Sequence, residues 1–156
     1  MADTVREQII AGIATDLATI TTANGYENTV VNVQRFMQSG LSVADVPCVI
    51  VNFDEERKTQ GPSDRAECDL RVTVDVWAVH DEDSVSGYTA SLVDSLAGDV
   101  EKAIMSDTTR DGFARGCEIE SVIPFRLAEG QPFVGATVSV KITYTHDISN
   151  PYTARA

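Results

Sequence analysis

Positively charged side chains are scarce in this sequence: 12 Lys and Arg stand against 24 Asp and Glu, which leaves a formal net charge of −12. Nucleic-acid recognition draws most of its affinity from Lys and Arg side chains that neutralise phosphates. The sequence contains no basic stripe. Its charge balance therefore argues against a surface that binds phosphate groups.

Long apolar runs are also missing, and no segment approaches the length needed to cross a membrane. The first eight residues lack the basic region and the apolar run of a signal peptide. We therefore expect a protein that is made, and at first kept, in a cytoplasm without a membrane partner. Hydrophobic residues make up 43% of the 156 positions and charged residues 23%, so the chain can form one domain with its own core.

Closely spaced cysteine pairs are missing as well. The three cysteines, Cys48, Cys68 and Cys117, lie far apart in the sequence, each in an apolar and strand-like context. A zinc site would need closer pairs. We predict three buried free thiols, and we expect no metal or other cofactor.

The chain is organised around residues 67–80, where apolar and polar side chains alternate as in a strand with one dry face. The apolar positions are Cys68, Leu70, Val72, Val74, Val76 and Ala78, and the polar positions are Asp69, Arg71, Thr73 and Asp75. Trp77 and Val79 then add apolar side chains to the second face. We predict that this end of the strand is covered on both sides or lies at a subunit contact.

The other elements follow from caps, periodicity and turn residues. Thr4 and Glu7 form a capping box that starts an amphipathic helix, which should end near Thr21. Strands are predicted over residues 29–36, 48–54, 117–125 and 133–147, and a second helix over residues 88–105. The polar residues 55–66 are too many for a tight turn, so we predict a projecting hairpin arm. Residues 150–156 should form a flexible tail unless a neighbour holds them.

This order of elements predicts a single α+β domain over residues 1–156, with a mostly antiparallel sheet, two helices packed on one face and a long projecting β-hairpin arm. The arm carries Arg57, Lys58 and Arg65 among carboxylates, and such a mixed-sign segment suits protein contact better than nucleic acid. These three cations, Trp77 and the tail residue Tyr152 are our candidate contacts with a subunit or another partner.

One candidate for metal chemistry is the run His80, Asp81, Glu82 and Asp83, which could hold a hard cation. The run lacks the spaced ligands and the central Gly of a calcium loop, and consecutive side chains diverge. A solvated acidic turn between a strand and a helix is the simpler interpretation.

The candidate for nucleophilic catalysis is His146 followed by Asp147, with Ser139 or Ser149 as the nucleophile. The sequence has no Gly-x-Ser-x-Gly elbow, and the serines lie on a strand or in the tail. Cys117 has no evident electropositive surroundings that would lower its pKa. The sequence therefore predicts no catalytic set and favours a protein that is not an enzyme.

Several strings, in this order, resemble the tail terminator proteins of long-tailed phages. The strings are Val-Arg-Glu-Gln-Ile-Ile-Ala-Gly-Ile at residues 5–13, Val-Gln-Arg-Phe at 33–36, Pro-Cys-Val-Ile-Val at 47–51, Leu-Arg-Val-Thr-Val-Asp-Val-Trp-Ala at 70–78 and Gly-Ala-Thr-Val-Ser-Val-Lys-Ile-Thr-Tyr-Thr-His at 135–146. The resemblance spans nearly the whole chain and rests on pattern and order, without an invariant motif.

The resemblance implies a structural virion protein that forms a ring, typically of six subunits, at the head-proximal end of the phage tail tube. Such a ring stops tube polymerisation and joins the tail to the head connector, so the implied partners are further copies, the tail tube protein and the connector. DNA would pass through the ring without specific binding. Two alternatives stay open: a head-completion, neck or other tail structural protein, and a small cytoplasmic enzyme or ligand-binding domain that uses His80 with its acidic neighbours or His146.

Overall fold

The computed structural model describes residues 1–35, 43–79, 88–126 and 132–155. The helices are α1 (Val5–Leu17) and α2 (Tyr88–Met105), and the strands are β1 (Asn32–Gln34), β2 (Cys48–Gln60), β3 (Arg65–Val79), β4 (Ala114–Arg126), β5 (Phe133–Asp147) and β6 (Asn150–Ala154). The six strands form one sheet in the order β1-β2-β3-β5-β4, and β6 pairs with β5. The predicted α+β class with a mostly antiparallel sheet is confirmed, with β1 and β2 as a parallel pair.

β3 lies in the middle of the sheet, as its alternating sequence predicts. It pairs with β5 along its whole length, from Arg65 opposite Asp147 to Val79 opposite Phe133. Its other side pairs with β2. The six apolar positions predicted for the dry face are each at most 1% exposed. Because β5 has the same alternation in matching register, the two strands present one continuous apolar face to the helices.

Both helices pack on that apolar face, as predicted. α1 buries Val5, Ile9, Ile10, Ile13 and Leu17, while α2 buries Leu96, Ala97, Val100, Ala103 and Ile104 against β3 and β5. The bounds predicted for α2 are confirmed. Thr4 caps α1 by accepting a hydrogen bond from the Glu7 backbone N–H at 3.1 Å, but α1 ends at Leu17, earlier than the predicted Thr21.

Residues 55–66, predicted as a projecting β-hairpin arm, continue the two neighbouring strands of the sheet. β2 continues to Gln60, β3 begins at Arg65, and a turn of residues 61–64 joins them. Ser63 and Asp64 in this turn have positive φ angles of 60° and 55°. A projecting arm is not confirmed, because β5 flanks β3 as far as Arg65. The predicted end of β2 at residue 54 was too early, because both faces of the second half of β2 carry polar side chains and no apolar period marks it.

The C-terminal residues 150–154, predicted as part of a flexible tail, form strand β6 at the end of β5. The backbone N–H of Arg155 donates to the carbonyl of Thr145 at 3.1 Å, and the Arg155 guanidinium pairs with Asp147 at 2.6 Å. Strand β5 is thus the neighbour that holds this segment.

Two buried charged side chains attach loops to the helices. Asp99 on α2 accepts hydrogen bonds from the backbone N–H groups of Glu27 and Asn28 at 3.1 and 2.9 Å. Arg110 pairs with Asp16 of α1 at 2.5 Å and also donates to a carbonyl at the end of α2. Burial of a charge is costly unless hydrogen bonds or an opposite charge compensate it, and here Asp99 is hydrogen-bonded and Arg110 is ion-paired.

Candidate interaction surfaces

The five residues predicted as contacts fall into two separate regions. Arg57, Lys58, Arg65 and Tyr152 lie at the end of the sheet formed by the β2–β3 turn and β6. Trp77 lies twelve residues from Arg65 along β3, a distance of about 40 Å in a strand. The structure therefore brings four of them to one end of the sheet and leaves Trp77 near the other.

At the turn end, the adjacent residues Arg57 and Lys58 point to opposite faces of the sheet. Arg57 is exposed and pairs with Glu55 on the open face at 3.0 Å. Lys58 lies on the face that the helices cover and contacts Glu56 Oε2 at 3.3 Å and His146 Nε2 at 3.0 Å. Arg57 therefore remains a candidate contact with a partner. Lys58 contributes to an internal cluster, but its side chain is 43% exposed, so it too remains a candidate contact.

This internal cluster is built around Glu56, whose side chain is only 4% exposed. It accepts a hydrogen bond from Arg6 of α1 at 2.8 Å and one from the hydroxyl of Tyr144. Burial raises the pKa of Glu56, but the bonds from Tyr144, Lys58 and Arg6 outweigh burial, so the pKa lies below its ordinary value. The ionised carboxylate holds α1 against the sheet and is not suited to donate a proton at neutral pH.

The geometry does not assemble the predicted nucleophilic set. His146 is buried, with Nε2 at Lys58 and Nδ1 2.5 Å from the backbone carbonyl of Asp147. The Asp147 carboxylate accepts from Ser149 and Arg155, and these bonds lower its pKa to about 2. Ser139 occupies the opposite face of β5 from His146.

The three cysteines are free and buried, as predicted. Burial raises the pKa of Cys117, the opposite of the shift that activates a nucleophilic thiol. The candidate run from His80 to Asp83 lies outside the described residues. Within the described ranges, no group of three or more His, Cys, Asp or Glu side chains is arranged to hold a metal ion.

Trp77 lies in an aromatic cluster on the open face of the sheet. Its ring centroid is 4.8 Å from that of Phe125 on β4 and 6.4 Å from that of Phe133 on β5, both in edge-to-face geometry. Gly135 is paired with both Trp77 and Phe125, and its missing side chain lets the two rings meet above it. The indole Nε1 is buried and has no hydrogen-bond partner among the described residues.

The rest of the open face carries paired charges of both signs. Arg71 on β3 binds Glu120 at 3.2 Å and Glu55 at 3.6 Å, and Lys141 on β5 lies 3.5 Å from Glu118. Each of these cations already has a carboxylate partner.

An apolar groove lies between α2 and the ends of β4 and β5, with a volume of about 570 Å³. The residues that define it include Ala90, Val93, Asp94 and Ala97 of α2 and Val122 and Pro124 of β4. The beginning of β4 is covered, since Ala114 and Cys117 are buried, but Val122 is 39% exposed. The small side chains on this part of α2 leave the end of the strand open.

The same end of β4 is apolar on both faces, because Ile123 points away from the groove and is 59% exposed. Within the described sheet, β4 is an edge strand. The predictions made from the sequence missed this surface. The apolar run Val-Ile-Pro-Phe at residues 122–125 was the signal that could have indicated it, as Trp77 and Val79 did for β3.

Comparison with known proteins found no protein-family model that matches the chain and no matching curated protein. Among the described helices, none is both long enough and apolar enough to cross a membrane.

Proposed function

We propose that this protein is a ring-forming tail terminator of a long-tailed phage, a structural virion protein that caps the head-proximal end of the tail tube and joins the tail to the head connector. The observation that supports this proposal most is the exposed apolar surface at the end of β4, with its groove beside α2. Exposed apolar surface of this kind marks a place where another protein binds.

The shape of the domain also supports a ring. Its two sheet edges differ, with β1 and β2 beside α1 on one side and β4 beside α2 on the other. Unlike surfaces on opposite sides of a subunit make head-to-tail contacts, which close into a ring when the rotation permits. The resemblance of the sequence to tail terminators supplies the biological role of that ring.

The acidic charge suits a channel through which DNA moves, because carboxylates that face phosphates prevent binding. Six copies of a chain of charge −12 would carry a formal charge of −72. Their mutual repulsion is screened over about 10 Å at 0.1 M salt and acts over longer distances at lower salt. Ring formation should therefore weaken at low ionic strength and strengthen with added NaCl or Mg²⁺.

The experiment that tests this proposal is the solution mass by light scattering across protein concentration, at low and high NaCl and with and without Mg²⁺. The same samples are imaged in negative stain. We expect closed rings of about six subunits, near six times the chain mass of 16.8 kDa, and rings at one end of tail tubes when the two are mixed. A mass that stays at 16.8 kDa under all conditions would refute the proposal. Rings that bind the connector and not the tube would indicate a neck protein instead.

A further inference from the structure

We infer that the groove between α2 and β4 is filled by Phe53 and Arg6 of a second copy of this chain. This inference rests on the proposed ring and names the contact that would build it. We call Phe53 with Arg6 the knob. The groove is the apolar surface defined by Ala90, Val93, Asp94, Ala97, Val122 and Pro124.

The knob is an exposed aromatic side chain with a positively charged guanidinium group over its ring. Phe53 follows Val49 and Val51 on the helix-covered face of β2, but unlike them it is 44% exposed. The guanidinium carbon of Arg6, on α1, lies 5.0 Å from the centre of its ring. The ladder shifts by one residue directly after Phe53, and such bulges often redirect side chains at sheet edges.

The groove offers the complementary chemistry. Its described lining is apolar except for Asp94, which is exposed. An apolar ring would enter between α2 and β4. Arg6 already binds Glu56 through one guanidinium nitrogen at 2.8 Å, and its remaining N–H groups would face Asp94 of the neighbouring copy. The groove's volume of about 570 Å³ falls within the range of about 300–1,000 Å³ that holds bound groups in proteins.

The side chains of the groove, and not the backbone edge of β4, provide the docking surface. Pro124 lacks an N–H group, and proline on an edge strand discourages the addition of another strand. The exposed carboxylate of Glu118 on the same strand acts in the same direction. A side chain inserted beside α2 needs no backbone hydrogen bonds from β4.

The knob and the groove lie on opposite sides of the domain, as a head-to-tail contact between copies requires. They lie near opposite edges of the sheet, three strand spacings or about 14 Å apart, and both are on the helix side. Phe53 is in line with Val72 and Val140, whereas β5 lines the groove with residues 134–136, four to six residues or about 13–20 Å further along the strand. Copies joined by this contact would therefore close into a ring whose axis is inclined to the strands.

The first test compares Val122→Asp with Ile123→Asp, which are neighbours on β4 with exposed apolar side chains on opposite faces. Val122→Asp should weaken ring formation by about 30-fold or more, the loss that marks a central contact residue. Ile123→Asp should leave it within about threefold of the wild type. Loss of rings with Ile123→Asp alone would place the contact on the open face and overturn the inference.

The second test uses Phe53→Thr, which removes the knob and leaves the groove intact. Alone, this variant and Val122→Asp should each remain monomeric. Mixed in equal amounts they should form a dimer of twice 16.8 kDa and nothing larger, because the Val122→Asp copy keeps its knob and the Phe53→Thr copy keeps its groove. A mixture that stays monomeric would show that Phe53 is not the occupant.

Folding of each variant is checked by circular dichroism and by the fluorescence of Trp77. If Val122→Asp fails to fold, Ala90→Trp replaces it. Ala90 is exposed at the groove, so an indole side chain introduced there would occupy the groove and block the knob. If both groove variants form rings as well as the wild type does, this inference is refuted and the proposed function stands. A wild-type chain that never forms rings would refute both.

Discussion

Adding one methyl group at Gly135 tests how closely the sheet is packed beneath Trp77. A Cβ atom at this position would lie 1.9 Å from the carbonyl oxygen of Val76 and 2.7 Å from the ring of Phe125. Real Cβ atoms almost never approach another heavy atom within 3.0 Å. Strand β3 would therefore have to move away from β5, and the Phe125 ring would have to leave its contact with Trp77.

The expected cost of Gly135→Ala has two parts. Overpacking a well-packed site costs about 1–3 kcal/mol, and here the obstacle is backbone, which cannot rotate away. Loss of the edge-to-face contact between Trp77 and Phe125 adds about 0.5–1.5 kcal/mol. We therefore expect the free energy of unfolding to fall by about 2–4 kcal/mol.

Urea unfolding followed by tryptophan fluorescence measures this loss directly, because Trp77 is the single tryptophan in the chain. The emission of the folded variant should also change as the indole loses its contact with Phe125. The matched control is Gly116→Ala on β4, where an added Cβ has no atom within 4 Å. That change should be neutral or stabilise by about 0.5–1 kcal/mol. Wild-type stability and emission in Gly135→Ala would contradict this packing.

Two further predictions concern ionisable side chains. Glu56→Gln should lower the free energy of unfolding by about 1.5–3 kcal/mol, because it removes a buried carboxylate that accepts several hydrogen bonds. The control is Glu120→Gln on the open face, which should cost less than about 1 kcal/mol. Both values are measured by the same urea titration. Stability should also fall at both ends of the pH range. The pKa of Asp147 is lowered from 3.8 to about 2 and that of Glu56 is lowered as well, so stability present above about pH 4 is lost as the pH falls. The pKa of Cys48 is raised from 9.0 to about 11 and that of Tyr144 is also raised, so stability present below pH 9 is lost as the pH rises. Urea midpoints that do not change from pH 2 to pH 11 would contradict both the acid and the alkaline loss of stability.

Much of the fold could be predicted because its signals are local. The alternation in β3 and β5 and the helical spacing in α2 depend on neighbouring residues alone, and these elements agree with prediction. The second half of β2 could not be predicted in this way. Its strand conformation is set by pairing with β3, and its side chains are polar on both faces.

The candidate surfaces also differ in whether a local pattern in the sequence indicates them. Trp77 could be identified because an apolar side chain on the polar face of a strand is visible in the sequence. The cluster around Glu56 could not, because Tyr144 is 88 residues away from it in the chain. The contacts of Lys58 with Glu56 and His146 could not be predicted for the same reason, and its partly exposed side chain remains a candidate contact.

The sequence by itself determined which face of each long strand is buried, because side chains alternate with a fixed period of two. Only the tertiary structure decided which apolar side chains remain exposed. Val122 and Phe53 are apolar in the sequence like their buried neighbours, but Val122 stays 39% exposed beside α2, and Phe53 stays 44% exposed although Arg6 of α1 lies over its ring. Exposure of this kind depends on the order of the strands and on where each helix begins and ends, which are properties of the whole fold.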